Sequence, residues 1–140
     1  MEAILSRALT AERLLLLREF MRFGTVGAIG FVADTTTVYS LKQWAGLYIA
    51  GAVAYVVACT VTWGLNRIWT FRGRGSGPMH RQWALFLSTN GVGFVLNRGT
   101  YFILIYVSPF FVQYPVLAIA AGVAMGMFSN FHFARKIVFR

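Results

Sequence analysis

Acidic side chains are scarce in this chain. Four of its 140 residues are Asp or Glu, and Asp34 is the one that falls beyond Glu19. General acid–base chemistry by paired carboxylates therefore lacks its second member, and no Ser/His/Asp set stands in for it. Cysteine is nearly missing too. Cys59 stands by itself in an apolar run, which excludes an intramolecular disulfide and points to packing. One Cys, two separated histidines (His80 and His132) and no acidic cluster leave no ligand set for a metal. Charged residues of both signs make up 12% of the chain, about half the usual share of about 25%. An enzyme is not expected, and neither a cofactor nor a metal.

Apolar residues fill the space that charge leaves. They reach 58%, against roughly 45–50% in soluble domains. A chain of this composition cannot cover its surface with polar groups, so a membrane protein is expected. The net charge is +9. In a soluble protein that balance suggests nucleic acid. In a membrane protein it is the cytoplasmic bias of Arg and Lys, and the positions favour this second reading, with no nucleic-acid partner.

About 20 apolar residues are needed to cross the hydrocarbon core. Four segments qualify, at about Phe23–Leu41, Leu47–Trp69, Trp83–Val107 and Val112–Phe133. The joining segments differ. "RGRGSGPMHRQ" (Arg72 to Gln82) is polar and basic, "KQWAG" carries one Lys, and "SPFFVQYP" carries no charge. Basic residues thus collect at the N-terminus, in the middle loop and in the C-terminal "ARKIVFR". The positive-inside rule places all three in the cytoplasm. Trp44, Tyr48, Trp69, Trp83 and Tyr114 fall near span ends, where interfacial aromatics are expected.

Ahead of the first span, "SRALTAERLLLLREFMRF" does not resemble a cleaved signal. Leu5, Leu9, Glu12 and Leu16 make no clean apolar face. Arg7, Arg13, Arg18 and Arg22 with the Leu14–Leu17 block predict a short juxtamembrane helix leading into the membrane. The expected organisation is an N-terminal cytoplasmic or interfacial segment at 1–20 and a transmembrane domain at 21–140.

The chain also repeats. At an offset of 63, Phe23, Gly30, Phe31, Val32 and Thr37 recur as Phe86, Gly93, Phe94, Val95 and Thr100, and Asp34 falls on Asn97. At an offset of 68, Ala50, Ala54, Ala58 and Thr62 fall on Ala118, Gly122, Gly126 and Asn130. At the same offset Arg67 falls on Arg135 and Phe71 on Phe139, the extra residues lying in the turn around Pro109 and Pro115. The expected fold is all-α: a bundle of four transmembrane helices built as two hairpins of the same orientation, a parallel repeat. The small-residue stripes at Ala50/Ala54/Ala58, Ala118/Gly122/Gly126 and Gly24/Gly27/Gly30 predict close helix contacts. "GTVGAIG" follows no strand and is read as packing, not as a phosphate loop.

"RFGTVGAIGFVADTTTVYSL", "NRIWTFR", "GVGFVLNRGTYFIL" and "NFHFARKIVFR", in that order, resemble the GtrA-like family of small polytopic membrane proteins. The resemblance covers about Phe20 to Arg140. Its most specific part is the paired R-x-x-x-F endings, Arg67/Phe71 and Arg135/Phe139. Thr62 departs from it, standing where the family often has Asn. The resemblance implies four membrane helices and a role in cell-surface polysaccharide synthesis. It further implies movement of polyprenyl-phosphate-linked sugars across the bacterial inner membrane, or work beside the glycosyltransferase that makes them.

Asp34 and Arg98 are the charged residues deep in the expected spans, and they carry opposite signs. The repeat places them about one residue, or about 1.5 Å, apart in depth. A charge at a bilayer centre costs about 2.5–3.5 kcal/mol on insertion scales. Pairing would relieve that cost for both, either as a structural tie or as a substrate route. On the second reading Arg98 meets a crossing phosphate through its planar fork, and Asp34 accepts from sugar hydroxyls or releases Arg98. Asn97, Asn90 and Thr35–Thr37 are candidate neutral contacts, and Asn130 joins them from the fourth span. Arg67, with Asn66 beside it, and Arg135 lie at the cytoplasmic span ends. There they either dock a lipid phosphate or anchor topology by snorkelling.

Two other functions stay open. An accessory subunit would recruit a glycosyltransferase through Arg72–Arg81 and the C-terminus. A proton-coupled exporter of cations would use Asp34, and a nearby Arg98 speaks against it. Four helices are few for enclosing a sugar, so a homodimer in the membrane lipid is expected.

Overall fold

The computed structural model describes residues 2–75 and 77–140, and side chains within its helices apart from those of 2–7, 47–48 and 115–116. The expected roles of the Leu5, Arg7, Tyr48 and Pro115 side chains therefore lie outside the described residues. The described residues are helical and contain no strand.

Helix α1 runs Glu2–Leu65 and breaks at Gly46, where φ is 75° and ψ is 166°. Glycine alone takes that φ without steric cost, so the chain reverses there. A π-helical turn, Asn66–Thr70, follows. The second half holds α2 (Met79–Val107), the short α3 (Pro109–Gln113) and α4 (Pro115–Phe133), and it closes with a second π-helical turn, Ala134–Val138. Two details differ from the sequence reading. "KQWAG" is helical as far as residue 45, because Lys, Gln and Ala are good helix formers and only Gly46 stops them. The N-terminal helix is not a separate element but continues unbroken into the first expected span.

Contacts divide the chain into two units, Met1–Arg74 and Gly75–Arg140. In the first unit the two limbs of α1 run antiparallel. Glu19 accepts a hydrogen bond from Arg74 Nη1 at 2.7 Å. The Phe23 and Phe71 rings pack at 6.3 Å between centroids, and Gly30 lies against the Thr62 side chain. Phe23, Val26, Ala50, Ala54, Cys59 and Phe71 are buried.

In the second unit α2 and α4 run antiparallel. Gln82, itself buried, donates to the Val138 carbonyl at 3.4 Å. Phe86 meets Phe139 edge-on at 6.1 Å. Gly93 lies against Asn130, and Gly122 against the Asn97 backbone. The Gly75 N–H donates to the Arg140 carbonyl at 2.8 Å, tying the end of the chain to the start of its own unit.

The R-x-x-x-F endings take the same local form in both units. The Phe71 N–H reaches back five residues to the Asn66 carbonyl at 2.8 Å, and the Phe139 N–H to the Ala134 carbonyl at 2.8 Å. The wider turn brings both rings inward. Each is fully buried, and burial of such a side chain is worth roughly 1.5–3 kcal/mol.

The small-residue stripes are used unevenly. Ala118, Gly122 and Gly126 are buried at the α2–α4 crossing. Of the Gly24/Gly27/Gly30 stripe, Gly30 makes a crossing, whereas Gly27 is exposed with nothing within 4 Å of where a Cβ would stand.

Outside these seams the surface is apolar. Phe31, Val95, Phe102 and Phe128 are each about two-thirds exposed. Water does not tolerate apolar surface on this scale, and acyl chains do. Among the described residues, Ile49–Thr70 and Leu117–Val138 are each 22 residues long and apolar enough to cross a membrane, with mean hydropathy 1.5 and 1.4. Segments 23–41 and 83–107 are helical, but Thr, Ser, Gly and Asn dilute their apolarity.

Candidate functional site

Each candidate residue is placed by its own unit. In the first unit Asp34 is half-buried on the first limb of α1. Its carboxylate is within electrostatic range of Cys59 on the second limb. One turn further along the first limb, Thr35, Thr36, Tyr39 and Ser40 line a shallow open groove. The hydroxyls of Thr36 and Ser40 donate to the Val32 and Thr36 carbonyls, both at 2.8 Å.

In the second unit Asn97 faces inward. A Cβ at Gly126 would lie 3.0 Å from Asn97 Cβ. Asn130 lies one helical turn away, against Gly93, and its Oδ1 is buried without a hydrogen bond. Asn97 and Asn130 therefore share one polar seam between α2 and α4. Asn90 Nδ2 donates to the Phe86 carbonyl at 2.9 Å, inside its own helix. Arg98 does not enter this seam. One residue along a helix turns a side chain by about 100°, so with Asn97 inward Arg98 is exposed. Its guanidinium stands 5.8 Å from the ring centre of Phe94, which is also exposed.

At the π-turns, Asn66 is buried while Arg67 and Arg135 are half-buried. Around the first turn sit residues that were not among the site candidates. Arg22 donates to the Trp69 carbonyl at 3.2 Å, with its guanidinium 5.4 Å from the Trp69 ring centre. Glu19 and Arg74 form the ion pair already described, with the carboxylate side buried and the guanidinium side partly exposed. No local spacing announces a partner 55 residues away. The one available clue was Glu19 itself, an isolated acid among arginines.

The arrangement is an all-helical membrane protein with apolar outer faces, polar inner seams and cations at helix ends and on α2. A family model described as GtrA/DPMS, transmembrane domain, matches residues 22–139. The chain belongs to that family. It is thereby a membrane protein of glycan–lipid carrier biosynthesis or flipping, in a family that is generally non-catalytic. A comparison with curated proteins finds no match.

Proposed function

We propose that the chain translocates a polyprenyl-phosphate-linked sugar across the bacterial inner membrane. In this reading segments 23–41 and 83–107 also span, giving four spans in two hairpins of the same orientation, with both termini cytoplasmic. The domain that carries this function is residues 21–140, with 1–20 interfacial, and two copies associate in the lipid.

The observation that carries the reading is Arg98, an exposed guanidinium beside an exposed Phe94 on an apolar helix. It stands about 22 Å along the helix from Trp83 and about 13 Å from Val107. A cation facing outward at that depth is costly unless an anion visits it. A phosphate travelling along the helix, its polyprenyl tail in lipid, is such an anion. Arg67 and Arg135 receive the phosphate at the cytoplasmic ends. Asn66, Asn97, Asn130 and Asp34 offer contacts to hydroxyls.

Arg98→Gln is expected to lower translocation by ten- to a hundredfold. That corresponds to about 1.5–3 kcal/mol for a hydrogen bond to a charged group. Arg98→Lys keeps the charge, loses the fork and falls between. Normal translocation by folded Arg98→Gln contradicts the assignment.

A second reading, recruitment of a glycosyltransferase, is favoured by the pinning of the basic loop near its start at two adjacent residues, Arg74 on Glu19 and Gly75 on Arg140. Transferase activity lost on changing only the loop arginines, with Arg98 dispensable, selects it.

A further inference from the structure

Several hydroxyls inside these helices share one habit. Those of Thr25, Thr37, Thr60 and Thr62 donate to the carbonyl four residues back, at 2.7–3.0 Å. Such back-bonding hides a polar group from a medium without water. Thr70 breaks the habit. The carbonyl four residues behind it, that of Asn66, accepts the Phe71 N–H in the π-turn. Thr70 Oγ1 is buried and makes no hydrogen bond, and the same is true of Asn66 Oδ1 in the same turn. Both residues are at least 95% buried, with relative exposures of 5% and 1%. Buried polar atoms without partners are costly and rare. The second π-turn shows that this fold does not need them, since Ala134 and Val138 occupy the corresponding positions and are buried there.

We propose that Asn66 and Thr70 form a recognition point for a hydroxyl of the carried headgroup, a sugar hydroxyl and not the phosphate. The chemistry selects the ligand. Asn66 Oδ1 only accepts, so its partner must donate. A phosphate anion has oxygen acceptors and nothing to donate. A sugar hydroxyl donates to Asn66 Oδ1 and accepts from the Thr70 hydroxyl at the same time. Arg67 in the same turn and Arg22, which reaches the turn from the first limb through the Trp69 carbonyl, supply the cations a phosphate would meet beside it. Both atoms are covered in this structure, so a headgroup reaches them only as the turn opens. π-helical turns occur often at functional sites, and this one leaves the Thr70 hydroxyl buried without the back-bond its counterparts make. The inference rests on the proposed handling of a lipid-linked sugar.

The test copies the second turn into the first: Asn66→Ala with Thr70→Val, in the full chain in nanodiscs. Binding is measured for a short-chain polyprenyl-phosphate sugar and for the same polyprenyl phosphate without the sugar. The variant is expected to melt at or above the wild-type temperature. Its affinity for the sugar-bearing lipid falls about tenfold, while that for the sugarless lipid is unchanged. Unchanged affinity for both lipids, or equal losses on both, overturns the proposal. If the wild type binds neither lipid, the lipid-carrier reading fails and takes this inference with it. If the double variant does not fold, Thr70→Val and Thr70→Ser decide: Ser retains discrimination for the sugar and Val loses it, and equal behaviour of the two overturns the assignment.

Discussion

A leucine at Gly122 will keep the second hairpin from closing. A Cβ there would stand 2.5 Å from the Asn97 carbonyl oxygen and 3.4 Å from its carbonyl carbon. These are backbone atoms of the facing helix, so no side-chain rotation relieves the clash. The neighbouring crossing is equally tight, with a Cβ at Gly126 falling 2.9 Å from the Gly93 carbonyl oxygen. Membrane helices gain little from the hydrophobic effect when they meet, and close backbone approach supplies much of the attraction. Overpacking a well-filled site costs about 1–3 kcal/mol even when the structure relaxes. Four added carbons between two backbones exceed what relaxation can absorb. Gly122→Leu is therefore expected to lose its cooperative melting transition in detergent and to aggregate on gel filtration. Gly99 is the control. Nothing lies within 4 Å of a Cβ there, and Gly99→Ala should hold or gain about 0.5–1 kcal/mol from helix propensity. Wild-type melting of Gly122→Leu would contradict the crossing described here.

Phe139→Ala is the second large loss. The ring is fully buried and meets Phe86 edge-on at 6.1 Å. Its N–H closes the second π-turn on Ala134, and the next residue's carbonyl holds Gly75. Truncating a buried Phe to Ala costs about 3–5 kcal/mol. Phe71 occupies the corresponding place in the first unit, buried and 6.3 Å from Phe23, so Phe71→Ala is expected to cost about as much. Phe102, 65% exposed and far more apolar than water would accept, serves as the outward control. In detergent or lipid its truncation should shift the melting temperature little. Equal shifts for Phe102→Ala and Phe139→Ala would show that the R-x-x-x-F endings do not anchor the hairpins.

These endings also show what a sequence can and cannot disclose. Arg67/Phe71 and Arg135/Phe139 are legible as a repeated spacing, but a five-residue hydrogen-bond reach is invisible to a search for periods near 3.6. Gly122 and Gly126 are legible as a stripe because small residues at fourfold spacing have one strong physical use. Gly27 belongs to a similar stripe, spaced by three, and has nothing within 4 Å of where a Cβ would stand, because composition cannot tell which turn of a helix meets the crossing. For Asp34, Asn97 and Arg98 the types of side chain were readable. Their direction was not: Asn97 and Arg98 are adjacent in sequence, yet one packs against Gly126 and the other stands against Phe94 outside the seam. Thr70 carries no sequence signal at all. Its hydroxyl is set apart only by being buried without a hydrogen bond.

The most direct measurement uses the purified chain alone in liposomes loaded with a fluorescent short-chain polyprenyl-phosphate sugar. A membrane-impermeant quencher or sugar oxidant added outside reports how much of the lipid changes leaflet. The account predicts that nearly all the label becomes accessible, with Arg98→Gln liposomes slower by ten- to a hundredfold. Accessibility that stays at the outer-leaflet half in wild-type liposomes, equal to protein-free controls, would contradict translocation by this chain.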